Sequence, residues 1–249
     1  MNDSLASVHL VGGGADCPNA ADLAGAFAVE ATNHAKTDAP PHLALVMVDV
    51  DGRADQFRPA YTAALDSHIP GGFEYLDIRL DGGPWRDGSV FREVDGIVVA
   101  GGPTALYHAG LSHLSVVIKD ALADRVPYLG FSAGAMIAAN TALLGGWRDH
   151  GRVMCDEDWS EGFDELTLAP GLGLVDFTVD VHATQGGLLS RACAAALHPE
   201  CGRVAAIDEA TVLSVPENAD TPHQGQRRGD GFVWWLEASD GTLNTRRLT

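Results

Sequence analysis

The sequence predicts an α/β fold: a mostly parallel central sheet covered by helices on both faces, with a C-terminal β-hairpin. Three observations predict it. Short apolar runs recur through the first half, helical patterns separate them, and two alternating runs flank Ser239-Asp240-Gly241 near the C-terminus.

The elements follow in order. Val8 to Val11 is a strand ending in Gly12-Gly13-Gly14, and a helical stretch covers 21–35. Leu43 to Val50 (LALVMVDV) is almost continuously apolar, as a strand buried on both faces requires. A helix over 56–67 leads to a strand at Phe73 to Leu80. Gly96 to Ala100 is a strand closing in Gly101-Gly102, followed by a helix over 104–124. Tyr128 to Phe131 is the fifth strand, and an alanine-rich helix follows over 133–143. Residues 145–171 are rich in glycine and acid and read as a long excursion. Val175 to Val181 is a strand, Gly187 to Leu197 a helix, and Val204 to Ile207 and Thr211 to Val215 are short strands. Pro216 to Gly231 is polar and turn-rich, and Phe232 to Glu237 and Thr242 to Arg247 form the hairpin. With no repeat, low-complexity tract or linker, residues 1–249 read as one domain.

Composition narrows the function classes. The 249 residues are 46% hydrophobic, which is ample for a core and excludes disorder. Against 34 acidic residues stand 16 basic ones, a net charge of -18. That balance excludes nucleic-acid and polybasic membrane contacts, which need Lys and Arg, and permits a cationic substrate. Cys17, Cys155, Cys193 and Cys201 have no CxxC spacing, so zinc-ribbon and thioredoxin chemistry fall away. The N-terminal stretch MNDSLASVHLVGGG has no basic leader region and only a short apolar run, and no apolar run reaches the roughly 18 residues of a membrane span. The expectation is a reduced, cytoplasmic setting.

The sharpest motif is Gly130-Phe131-Ser132-Ala133-Gly134, a G-x-S-x-G pattern with a strand before it and a helix after it. Such a turn presents a serine hydroxyl at the carboxyl edge of the sheet, where α/β folds bind ligands. The Ala133 N–H then faces a developing oxyanion, and a second donor is available from Gly102 at the neighbouring strand end. Pro103 has no N–H to offer. Gly12-Gly13-Gly14 lacks both G-x-G-x-x-G spacing and a P-loop lysine, so it reads as a turn beside the site. A serine nucleophile needs a base. Of ten histidines, His182 alone ends a strand ahead of a small-residue loop. The orienting acid comes from Asp208-Glu209, which closes the run Val204 to Ile207. Adjacent residues on a strand face opposite ways, so only one of the two serves. The order Ser, His, acid departs from the Ser, acid, His of α/β-hydrolases.

These residues together resemble a known family. Gly130 to Ala135 (GFSAGA), Gly101-Gly102, Gly171 to Leu174 (GLGL), Asp180-Val181-His182 and Ile207 to Thr211 (IDEAT) look like the serine peptidase family of aspartyl dipeptidase (peptidase E) and cyanophycinase. The resemblance spans roughly residues 6–215. It implies a three-layer α/β/α sandwich of the class I glutamine amidotransferase type. It implies a Ser132-His182-Glu209 triad, with neither cofactor nor metal. Three positions depart from the family pattern: Ala183 stands where phenylalanine is usual, Gln185-Gly186-Gly187 where cyanophycinases carry arginines, and Pro103-Thr104 where Asn or Asp follows the glycine pair.

The expected activity is hydrolysis of a peptide or isopeptide bond in a small peptide, through an acyl-enzyme. Gly101, Thr104, Gln185, Asp156 and Glu157 are the candidate substrate contacts. Seven acids between 149 and 165 (Asp149, Asp156, Glu157, Asp158, Glu161, Asp164, Glu165) form either a solvated loop or a rim selecting a cationic group. Trp147 and Trp159 bracket that stretch and either pack it as a lid over the cleft or stack on substrate. Trp234-Trp235 is strand packing or the seam of a homodimer. The rival readings are another serine hydrolase, acting on amides or esters, and a catalytically silent binding protein on the same fold.

Overall fold

Each apolar run of the first half pairs laterally with another. The computed structural model describes residues 7–35 and 39–248. The N-terminal part of the stretch read as free of a leader lies outside them. The order opens with β1 (Ser7–Val11), α1 (Ala20–His34), β2 (His42–Val48), α2 (Ala54–Asp66), β3 (Glu74–Leu80) and β4 (Gly96–Val99). It continues with α3 (Thr104–Leu111), α4 (Ser115–Ala123), β5 (Tyr128–Phe131), α5 (Ala133–Ile137), β6 (Thr141–Gly145), β7 (Arg148–Asp149), β8 (Arg152–Val153) and β9 (Thr167–Pro170). It ends with β10 (Thr178–Val181), α6 (Leu189–Leu197), β11 (Arg203–Ile207), β12 (Thr211–Pro216), β13 (Gln226–Gly229), β14 (Val233–Ser239) and β15 (Thr242–Leu248).

The central sheet runs β13-β12-β1-β5-β4-β2-β3. Its β1, β5, β4, β2 and β3 are mutually parallel, while β12 and β13 add antiparallel at one edge. The residues of β4 and β5 are buried throughout, which is why these strands read as unbroken apolar runs. A second sheet, β10-β11-β14-β15, carries the expected C-terminal hairpin. Its β10 and β11 are parallel and joined through α6. Trp235 is buried edge-on against Phe177, and the half-buried Trp234 donates from Nε1 to Asp208 Oδ1, so both tryptophans pack within the chain.

Three expectations change. The alanine-rich helix over 133–143 stops at Ile137, because residues 141–145 are drawn out into β6 against β9. Alanine's helix propensity, a few tenths of a kcal/mol per residue, yields to that buried pairing. The helix over 104–124 is broken by a 3₁₀ turn at Ser112–Leu114, next to Gly110, whose bare Cα lets Leu80 pack against it. The stretch 145–171 holds more order than a loop: strand β9, the small β7–β8 hairpin and a 3₁₀ turn at Glu157–Trp159. No helix among the described residues is long and apolar enough to cross a membrane.

Candidate active site

The site is built where the two sheets meet. β5 ends at Phe131, and Ser132 turns the chain into α5 with φ 47° and ψ -108°. A non-glycine residue with positive φ is strained unless its surroundings hold it. The two flanking glycines allow the turn. A Cβ on Gly130 would lie 2.5 Å from the Gly134 carbonyl carbon, and one on Gly134 would collide with the Val99 carbonyl of β4. The motif is therefore a packing requirement: α5 starts in contact with its own strand and with the neighbouring one. The N–H of Ser132 is anchored on the Val11 carbonyl of β1.

The second sheet brings the other partners. His182 follows β10, also at positive φ (52°), and its N–H bonds to the Gly12 carbonyl at 2.9 Å. Gly12 must be glycine there, since a Cβ would run into the Asp208 carbonyl. His182 Nε2 lies 3.0 Å from Ser132 Oγ, and His182 Nδ1 lies 2.7 Å from Glu209 Oε1. A carboxylate only accepts, so Nδ1 carries the proton and Nε2 accepts from the serine hydroxyl. The imidazole is mostly buried, and the Glu209 carboxylate is 42% exposed.

Asp208 takes the opposite face. Its carboxylate is buried and fully used, accepting from Thr184 N, Thr184 Oγ1, Phe232 N and Trp234 Nε1. In return, Gln185 Oε1 accepts from the Glu209 N–H at 2.9 Å. These bonds staple the loop after His182 to the loop holding Glu209.

Beside Ser132 lies a pair of backbone donors. The Gly101 N–H bonds to the Tyr61 hydroxyl at 2.9 Å, so Gly101 has no donor left for a ligand. Among the described residues, the Gly102 and Ala133 N–H groups have no acceptor, and both flank Ser132. Gly102 has φ 145° and an exposed backbone.

Several expected contacts lie elsewhere. Thr104 is fully buried: its hydroxyl points to the Met136 sulfur and its N–H bonds to Glu161 Oε2, so it offers nothing to a ligand. Gln185 turns its Oε1 to the Glu209 N–H. Asp156 and Glu157 are exposed and absent from the cleft wall, because Asp156 caps the 3₁₀ turn by accepting from Asp158 N.

The same acidic stretch nonetheless reaches the site through Trp159, one of the two tryptophans that flank its acids, and Glu161, one of its seven acids. The Trp159 ring packs on the His182 imidazole, with centroids 5.1 Å apart. The Trp159 carbonyl accepts at 2.6 Å from Arg191 of α6. Arg191 is buried and bidentate on the buried Asp180 of β10, at 3.1 and 2.6 Å. Although burial disfavours its charge, the Asp180 carboxylate holds the guanidinium above its usual range. Glu161, at φ 56°, turns its carboxylate inward onto the Thr104 N–H, two residues beyond Gly102. Burial pushes the Glu161 carboxyl up, against the opposing effects of the Thr104 hydrogen bond and of Arg191 and His182. In sequence, the only sign of these contacts was the position of the acids between Ser132 and His182.

A cleft of about 250 Å³ opens on Ser132 and His182. Its walls come from Gly14 to Asp16, from Phe57, Ala60 and Tyr61 of α2, and from Gly101-Gly102. The whole arrangement suits acyl transfer: a hydroxyl on an imidazole, an imidazole on a carboxylate, and two unpaired N–H groups beside the hydroxyl.

The family model for peptidase family S51 matches residues 86–220. This span holds Gly102, Ser132, His182 and Glu209. The fold is similar to that of a peptidase from an acI-B1 Actinobacterium, with TM-score 0.70, 19% identity, and 100% of this chain and 96% of that one covered. It is also similar to a Listeria monocytogenes EGD-e protein assigned to peptidase E, with TM-score 0.51, 14% identity, and 99% and 100% covered. No curated protein matches the chain.

Proposed function

The chain belongs to peptidase family S51, and from that premise we propose that it hydrolyses a peptide or isopeptide bond in a small peptide, with Ser132 as nucleophile, His182 as base and Glu209 as orienting acid. The observation that carries this reading is the continuous hydrogen-bond chain Ser132–His182–Glu209 opening on a cleft.

Ser132 Oγ attacks the carbonyl carbon, and its proton passes to His182 Nε2. Glu209 holds the imidazole by Nδ1 and stabilises the imidazolium that forms. The Gly102 and Ala133 N–H groups accept the charge on the tetrahedral oxygen, each contributing about 3 kcal/mol. Collapse of the intermediate breaks the C–N bond, and His182 delivers its proton to the leaving amine. Water then attacks the acyl-serine, with His182 again as base, and releases the acid.

The test is a fluorophosphonate probe followed by peptide mapping. Labelling of Ser132 in the native chain, absent in Ser132→Ala, is the expected result. Equal labelling of the variant, or none of the native chain, overturns the assignment. A panel of dipeptides, β-aspartyl dipeptides and p-nitrophenyl esters separates peptidase from esterase activity.

A further inference from the structure

The cleft beside Ser132 has a composition that bears on the substrate. The α2 side is aromatic and apolar: Phe57 is 53% exposed at its edge, Ala60 lies between, and Tyr61 is buried behind. Tyr61 is held edge-on against Phe131, and its hydroxyl is tied to the Gly101 N–H, so it is a fixed wall. Opposite lies Gly14 to Asp16. The Asp16 carboxylate folds back over its own loop, close enough that a Cβ on Gly14 would be 2.7 Å from Oδ1. Among the described residues it has no hydrogen-bond or ion-pair partner. Asp16 is the one acidic side chain in the wall, and no lysine or arginine lines it.

An exposed carboxylate with no protein partner, lining a cleft of about one residue whose other wall is aromatic and apolar, suits a cation joined to an apolar stem. It does not suit a second carboxylate, which would meet Asp16 without any guanidinium to offset the repulsion. Resting on the hydrolase reading above, the geometry points to Asp16 as the specificity-determining residue of this cleft: it pairs with a primary ammonium of the substrate while Phe57, Ala60 and Tyr61 take the apolar portion. The ammonium is either the α-amine of an N-terminal residue or the ε-amine of a lysine. The preference for a cation, read in sequence from the acids at 149–165, moves to the other side of the site.

Protection of Ser132 from the fluorophosphonate tests this without requiring turnover. Four ligands are compared on the native chain: phenylalanine amide, N-acetyl-lysine amide, N-acetylphenylalanine amide and aspartic acid α-amide. At least one of the first two should protect at a tenfold lower concentration than either of the last two, and the better one identifies the α- or ε-ammonium. Asp16→Asn should raise that half-protecting concentration about tenfold. Equal protection by all four, best protection by N-acetylphenylalanine amide or aspartic acid α-amide, or an unchanged value in a folded Asp16→Asn overturns the inference while leaving the hydrolase reading intact. If Asp16→Asn does not fold, the native series decides alone. Failure of the native chain to label overturns both.

Discussion

The two halves of the site are made by different means. Ser132 is positioned by backbone: a strand end, a strained turn, and glycines at 130 and 134 that let α5 start against β5 and β4. His182 is positioned by side chains from distant segments, among them the buried Asp180–Arg191 pair, Trp159 against the ring, and Asp208 holding the loop that follows. A backbone device tolerates little substitution but asks little of the rest of the chain. A side-chain device leans on buried charge, so its weak point lies away from the reacting atoms.

The largest effect should come from the backbone-positioned half. Ser132→Ala should lower kcat by about 10⁴-fold or more, leaving what the oxyanion donors and binding supply, with an unchanged melting curve. Glu209→Gln comes next: about 10³-fold in kcat from loss of the correct tautomer, with stability retained because the carboxylate is half in water. Asp208→Asn should behave in reverse, lowering the melting temperature more than kcat, since it weakens bonds to Thr184 and Phe232. If Asp208→Asn loses more kcat than Glu209→Gln, the assignment of the acid is wrong.

The side-chain half breaks differently. Arg191→Met leaves Asp180 buried and unpaired, and should destabilise the chain by about 3–5 kcal/mol in urea unfolding. Asp180→Leu with Arg191→Met should recover most of that stability, yet keep a raised KM or lowered kcat, because Trp159 loses its anchor.

The smallest effects belong to Glu161. Glu161→Ala frees the Thr104 N–H beside the glycine loop and should cut kcat about tenfold, the scale of one positioning hydrogen bond. Glu161→Gln keeps an acceptor and should retain most activity. Burial raises the Glu161 carboxyl, so the folded chain binds its proton more tightly than the unfolded chain does. Its contribution to stability is therefore full below the ordinary glutamate range and falls as pH rises through the raised value. The melting temperature of Glu161→Gln should gain on that of the native chain as pH rises above the ordinary glutamate range. A constant difference would show that Glu161 does not titrate there.

The amount legible in sequence follows the same division. Ser132, with its strand, turn and small-residue neighbours, was fully visible because every constraint on it lies within a few residues. His182 and Glu209 were visible as strand ends, and the family resemblance chose Glu209 over Asp208. In the structure Glu209 Oε1 lies 2.7 Å from His182 Nδ1, while Asp208 turns toward Thr184 and Trp234. The structure spends the polar atoms of Thr104 and Oε1 of Gln185 within the chain and leaves Asp156 and Glu157 exposed outside the cleft wall, because sequence position places a residue near a loop but does not say which way its polar atoms turn. Arg191 and Asp16 carried no local pattern, since their place beside the site is set by segments many residues away.

By itself the sequence determined the alternation of buried strands and helices and the strand-turn-helix at Ser132, because periodicity and glycine spacing are local. Only the tertiary structure decided that a second sheet brings His182 to Ser132, that Asp208 staples while Glu209 faces the imidazole, and that Asp16 rather than the 149–165 acids lines the cleft. Those outcomes depend on which distant groups share a buried space and which hydrogen bonds are already satisfied there.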